Sequence, residues 1–574
     1  MSFIPLDNPF GFGAVDFVIL AVATLLLGLA FLWRRARHLP FSERTSVWML
    51  VFALLPILLR IALKPHHPIP TPDLYDEFGH LLMADTLRHW RLANPPHPFH
   101  QFFETFFVLQ QPTHSSIYPI GNGLILALGW TLFGTPWAGI LLSTGLFCAL
   151  CYWMLRAWIA PRRALLGGLL AVFQFGPLNQ WTNNYWGGSL AAIAGCLVFG
   201  SLPRRNGWLL GLGIAIHILC RPYETIFLVL AAALYFLPQH RSLPWRTFLI
   251  AAVMILPALG ITLLQNQRVT GEWLKLPYKL SQEQYGVPAP LTIQDSLTPK
   301  GPLTREQELD YRMQRGFHPG RDTVASYFER LIFRIRYYRF YFYAPLYLAL
   351  LAFLVSIRNY QWAWVALTCL LFALGVNFFP AFQFHYVAAV VCLFILMSVK
   401  GLERLEQLPR GPEAARAIVL VCIAQFVFWY GLHLTVDTAD FARQLKTFDI
   451  WDSINHEGPG RRLDVAQELE ATPGKLLVFV QYWPSHQFQE EWVYNTADID
   501  GQRIVWARDL GPAENQKLIG YYGTRKALLL EPDARPPRLT DYVPAPPETA
   551  PATPEPDTTK PTGKKPLLIL EQVR

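Results

Sequence analysis

The chain has 574 residues, of which 52% are hydrophobic, 14% aromatic and only 16% charged, and its formal net charge is +8. That balance excludes an ordinary soluble protein and a disordered one, and points to a polytopic membrane protein. The positive charge does not indicate nucleic acid, because the basic residues fall in short clusters between apolar runs, as in cytoplasmic loops.

A span needs roughly 20 mostly apolar residues, and windows of that kind recur from Phe17 to about Leu434; about twelve are expected. The first follows Asp7 and Asp16 and precedes "RRAR", so it lacks the basic start and cleavage site of a signal peptide and reads as an anchor. With "RRAR" cytoplasmic, alternation places "RAWIAPRR", "LPRRNG", "LPQHRSLPWR", "SIRNY" and "VKGLERLEQLPRGPEAAR" inside as well. Outside then lie a first loop at about 64–136, a second at about 265–340, and the C-terminal region.

After the second span, about Val47 to Leu63, comes "DLYDEFGHLLMADTLRHW". Helical spacing puts Asp73, Asp76 or Glu77, and His80 on one face, with Leu81, Leu82, Met83, Leu87 and Trp90 on an apolar side. A helix on the outer membrane surface is expected. Asp73 can act as its N-cap, and Asp76 and Glu77 complement the helix dipole. Alternatively one of these carboxylates is a general base for a hydroxyl nucleophile, while a neighbour orients it or holds a divalent metal. The segment Ile117 to Phe133 is too short for an easy crossing and is expected to be a juxtamembrane or re-entrant helix.

Eight spans are expected before the second outer loop and four after it. At the outer ends of the first eight stand "NQWTNNYWGGS" and "CRPYET". Trp181, Tyr185 and Trp186 suit an interfacial aromatic belt, whereas Asn183 and Asn184 with Gly187-Gly188 suit a polar pocket for a sugar, to which Tyr185 and Trp186 are also candidates. Arg221 and Glu224 form an ion pair, or Arg221 holds a phosphate through bidentate hydrogen bonds. Arg268, Lys275 and Lys279 of the second loop, and His385 of "FQFHY", are candidates to complete such a site. His97 and His100 lack zinc spacing, so no metal ligands are assigned. The seven cysteines all fall in or beside spans and read as small core residues.

From about residue 436 the composition turns soluble. "GKLLVFVQYW" and "RKALLLE" read as strands and "GPAENQKLIGYY" as a helix, giving an extracytoplasmic α/β domain over 436–532. Arg508, Asp509 and Glu514 read as solvated charges at a helix start. The stretch 533–574, rich in Pro and Thr, reads as a disordered tail.

These features together resemble the GT-C superfamily of membrane glycosyltransferases, especially its polyprenyl-phosphate-dependent mannosyltransferase and aminoarabinose-transferase branch. The resemblance spans about Asp73 to Leu434 and rests on "DLYDEFGHLLMADTL", "YPIGNGLILALGWTLFG", the later loop with "TGEWLKLPY", and the outer C-terminal domain. "YWGGS" and "RPYE" are similar to a bacterial subgroup of such enzymes. Tyr118-Pro119 stands where the family usually has Pro-Pro, and the mannosyltransferases' MIR-type domain is absent.

The resemblance implies a multi-pass protein of a bacterial inner membrane that moves a sugar from a polyprenyl-phosphate donor to an extracytoplasmic glycan, lipid or protein, with inversion. Asp76 is then the first choice of base, Glu77 the second, and Arg221 the candidate phosphate ligand. Rival readings are a transporter or flippase of lipid-linked sugars, a glycan polymerase or ligase of related architecture, and a non-catalytic assembly protein.

Overall fold

The computed structural model describes residues 44–72, 74–237, 244–435 and 459–543. The expected first anchor, Asp73 and most of the expected Pro-rich tail lie outside these residues.

The membrane region is built from α1 (Thr45–Ala62), α3 (Ile120–Phe133), α4 (Pro136–Leu155), α5 (Pro161–Phe175), α6 (Ser189–Arg204), α7 (Gly207–Cys220), α8 (Pro222–Phe236), α9 (Trp245–Thr270), α13 (Leu346–Phe353), α14 (Tyr360–Val376), α15 (Val391–Leu405) and α16 (Gly411–His433). Between these helices stand α2 (Tyr75–Arg88), α10 (Pro277–Tyr285), α11 (Arg305–Phe317) and α12 (Val324–Arg334).

Among the described residues, five helices are long and apolar enough to cross a membrane, and a pair bent by 115° over Val324–Arg358 makes a sixth if taken as one broken span. Five more apolar helices, α3, α6, α7, α8 and α14, have 10–17 residues. They are short because Pro and Gly punctuate the apolar runs. Pro136, Pro161 and Pro222 open helices where no backbone donor is needed. The helices then pack closely through small residues: a Cβ at Gly129 would lie 2.1 Å from the Gly139 nitrogen where α3 meets α4. The core is aromatic, with Phe52, Tyr152, Phe175, Trp181 and Trp364 buried in one cluster.

The C-terminal region holds α17 (Pro459–Ala471), β3 (Leu476–Val480), β4 (Ile504–Arg508), α18 (Pro512–Tyr522), β5 (Lys526–Glu531) and β6 (Arg538–Asp541). Earlier, β1 (Val108–Leu109) and β2 (Ser115–Ser116) form a short hairpin. The larger sheet has order β4-β3-β5-β6, parallel except for β6. One face is covered by Val465, Leu469 and Trp492. The other takes Phe102 and Phe103, from a 3-10 turn of the segment between α2 and α3, against Phe479 and Leu518. That segment thus supplies part of this domain's core.

This docking changes the place expected for α2. Its residues from Glu77 to Thr86 are buried, so it is no surface helix. Tyr494 packs on Phe78 at 4.7 Å, the Arg462 guanidinium lies 4.5 Å from the same ring, and the Ala497 amide donates to Asp85 Oδ2 at 2.9 Å. Of the side that hydropathy assigns to lipid, Leu82 packs with Ala497 of the C-terminal domain, Leu81 packs with Leu126 and Ile140 of α3 and α4, and Trp90 is exposed. Arg508 is likewise not solvated: it is buried, donates to Glu306 Oε2 at 2.6 Å and to the Glu104 carbonyl at 2.6 Å, and so ties β4 to the segments 64–136 and 265–340. Asp509 accepts from the Gly511 amide, and Glu514 pairs with Lys517 at the surface.

Candidate active site

Helix α2 starts one residue later than an Asp73 cap would place it, with Leu74 at its N-cap. Glu77 closes this end by accepting the Leu74 amide at 3.1 Å, and its other oxygen accepts the Tyr185 amide at 3.0 Å. Both oxygens of Glu77 are therefore engaged with backbone, and the side chain is buried. Asp76 faces the other way. Its Oδ1 accepts the phenol hydrogen of Tyr118, whose ring stacks on His80 with centroids 4.1 Å apart. Asp76 and His80, one turn apart, thus share Tyr118.

Tyr118 is fixed from its backbone: its amide donates to Ser116 Oγ at 3.2 Å, and its carbonyl accepts from Gln265 Nε2 at 2.8 Å. The Tyr-Pro pair that opens α3 therefore brings a phenol to the acid. Burial pushes the Asp76 carboxyl up to about 6, while the Tyr118 hydrogen bond and the charge of Arg221 pull against that rise. A carboxylate in that range is mostly ionised near neutral pH yet basic enough to accept a proton. Burial and the Arg221 charge push His80 down to about 3, so its imidazole is neutral.

A cleft partly open to solvent lies beside this group. His80, Tyr118, Asn122, Trp186, Arg221 and Tyr278 line it, with the Gly187-Gly188 backbone. Gly188 has φ +126°, and a Cβ there would stand 2.5 Å from the Trp181 ring. Arg221 links α7 and α8, lies 5.0 Å over the Tyr386 ring, and approaches Glu224 at 3.7 Å. Trp186 Nε1 and His80 Nδ1 are buried without hydrogen-bond partners. Such orphan polar atoms in a cleft call for a polar ligand.

The other expected residues separate into two groups. His385 stands beside the cleft, its ring 6.3 Å from that of Trp186. Asn183 and Asn184 serve the scaffold: Asn183 accepts from Arg60 Nε at 2.7 Å and donates to the Pro177 and Asn179 carbonyls, while Asn184 accepts the Trp186 amide. Tyr185 donates to the Pro70 carbonyl at 2.8 Å. Arg268, Lys275 and Lys279 do not line the cleft. Lys275 pairs with Glu272 and Glu283, and the other two are exposed. Among the described residues no group of three or more His, Cys, Asp or Glu could hold a metal ion.

Sequence reasoning does not single out Asn122, Tyr278 or Asp310. Asn122 donates to the Tyr185 carbonyl at 2.8 Å and so joins α3 to the aromatic turn. Asp310 is fully buried on α11 and interacts electrostatically with Asp76.

The fold is similar to that of ArnT from Cupriavidus metallidurans in the apo state, with 11% identity, 85% of this chain and 93% of that chain covered, and a TM-score of 0.48. The same protein bound to undecaprenyl phosphate gives 13% identity, 84% and 93% coverage, and a TM-score of 0.45. An oligosaccharyltransferase from Archaeoglobus fulgidus, in complex with Zn and sulfate, gives 11% identity, 76% and 60% coverage, and a TM-score of 0.39. No family model matches the sequence, and no curated protein matches it.

Proposed function

We propose that this chain is a membrane glycosyltransferase of the GT-C type that moves a sugar from a polyprenyl-phosphate donor to an extracytoplasmic acceptor. The observation that carries the reading is one carboxyl, Asp76, hydrogen-bonded to the cleft-lining Tyr118, and one cation, Arg221, in the lining of a cleft that contains orphan hydrogen-bonding groups. Such a pair matches the two charge movements of an inverting displacement. Asp76 takes the proton of the acceptor hydroxyl as its oxygen bonds to the anomeric carbon, while the bond from that carbon to the phosphate oxygen breaks. Arg221 stabilises the negative charge that develops on the departing phosphate. Tyr118 fixes the orientation of the base, and Trp186 and His80 offer polar atoms to the sugar.

The apolar helices around the cleft suit a donor whose tail stays in the bilayer, and an inner bacterial membrane with the C-terminal domain outside is the matching location. Proteoliposomes carrying a radiolabelled polyprenyl-phosphate sugar test the reading. A transferase moves label to a water-soluble or macromolecular acceptor and leaves free lipid phosphate. Label that crosses the bilayer still joined to its lipid would instead identify a transporter.

A further inference from the structure

Asp310 is fully buried, yet only one of its oxygens is satisfied. Oδ2 accepts from Gln314 Nε2 at 2.8 Å on its own helix, and Oδ1 has no hydrogen-bond partner. No basic side chain bonds to it among the described residues. The charged residue one turn before it, Glu306, is already bound to Arg508. A buried carboxyl with a free oxygen is costly unless something completes it. The groups whose charges interact with it are Tyr75 and Asp76 of α2, so it stands by the same acid that faces Arg221. Burial pushes its carboxyl up to about 7, Gln314 opposes this, and Asp76 adds to it.

The C-terminal domain reaches the same place. Glu490 pairs as a backbone bridge with Leu74, two residues before Asp76, and Phe488 packs into the cluster of Tyr75, Phe106 and Tyr118. Gln489 Nε2 lies 3.8 Å from Met313 Sδ on α11, and Arg305 of α11 donates to the Trp483 carbonyl at 3.1 Å. The loop 483–490 and α11 thus join around the start of α2, whereas the cleft with Arg221 lies on the other side of Tyr118, lined by His80 one turn further along α2 and by residues of α3, α6, α7 and α10, none of them from α11 or the C-terminal domain.

We infer that Asp310, with the loop 483–490, forms the acceptor subsite, and that its free oxygen accepts a hydrogen bond from a hydroxyl or ammonium group next to the acceptor hydroxyl that Asp76 deprotonates. This rests on the transfer reaction proposed above. It gives the C-terminal domain a part in the site: the phosphate end of the donor belongs to Arg221, and the acceptor enters between α11 and the docked domain.

The test uses the full-length protein in lipid nanodiscs, a radiolabelled polyprenyl-phosphate sugar, and an extracytoplasmic extract titrated as acceptor. Asp310→Asn and Asp310→Leu are compared with wild type after thermal melting has shown that each is folded. Loss of one hydrogen bond to a charged group predicts a half-saturating acceptor concentration raised about tenfold or more, with that of the donor unchanged. N-acetylating the extract separates the two ligand groups: weaker saturation of wild type identifies an ammonium, and unchanged saturation a hydroxyl. Unchanged acceptor dependence in both folded variants overturns the inference, as does a change confined to the donor. No transfer by wild type refutes the proposed function itself, and the acceptor subsite falls with it.

Discussion

The phenol of Tyr118 donates its hydrogen to Oδ1 of Asp76, so the first turn of α2 and the residues just before α3 share one hydrogen bond across 42 positions of sequence. The bond stabilises the ionised acid. Tyr118→Phe removes it while keeping the ring on His80. Since hydrogen bonds to charged groups contribute about 1.5–3 kcal/mol, the acid limb of the rate profile should move up from near 6 by about one pH unit or more. A pH profile of transfer checks this, and an unmoved limb would separate Tyr118 from the base.

Asp76 should also destabilise the fold. Its folded value of about 6 lies above the ordinary 3.8, so between these pH values the folded protein holds a proton that the unfolded chain has lost. Its contribution to stability is therefore present at low pH and lost as pH rises through about 6, by on the order of 3 kcal/mol. Asp76→Asn has no such loss and is expected to melt higher than wild type at pH 8. A lower melting temperature at pH 8 would contradict the raised value.

Arg221 should act on affinity for the lipid phosphate. Arg221→Ala is expected to weaken binding of a polyprenyl phosphate about 10- to 100-fold, and Arg221→Lys to recover part of it, since an ammonium keeps the charge but not the planar fork. Titration of the variants in nanodiscs reads both effects.

Glu77 and Asp76 are adjacent in sequence but differ in what they touch. Glu77 holds the amides of Leu74 and Tyr185, so Glu77→Ala leaves one partly buried and one buried donor without their acceptor. A loss of about 2–4 kcal/mol of stability is expected, read as a lower melting temperature and a poor yield of folded protein. A folded, fully stable but inactive Glu77→Ala would move the chemistry to this residue.

How far the sequence discloses this arrangement depends on what each feature rests on. The apolar windows of α1, α4, α9 and α16 follow from composition alone, because lipid demands them. Asp76 and Arg221 stand out because charge beside an apolar run needs a reason. Asp310 gives no such signal. It is one acid in a charged, amphipathic segment, and the groups it meets, Tyr75 and Asp76 of α2, are more than 230 positions away in sequence. The burial of α2 is hidden in the same way, since the partner that covers it lies some 400 residues away, at Tyr494 and Ala497. Arg508 reads as solvated because Glu306, its partner, is 202 positions distant.

That partnership can be probed directly. Arg508→Ala leaves the buried Glu306 with only the longer contact to Arg305 at 3.6 Å, and a loss of about 2–3 kcal/mol is expected, less than for a buried charge with no partner. Limited proteolysis should then cut the C-terminal domain sooner than in wild type, while Lys517→Ala, at an exposed pair, should not change the rate.

The most direct measurement is release of free polyprenyl phosphate from a radiolabelled donor by wild type and by folded Asp76→Asn, each in nanodiscs with the extracytoplasmic extract. If Asp76 is the base of a glycosyl transfer, wild type releases lipid phosphate and Asp76→Asn does so at least about 100-fold more slowly. Equal release by the two proteins would contradict that role.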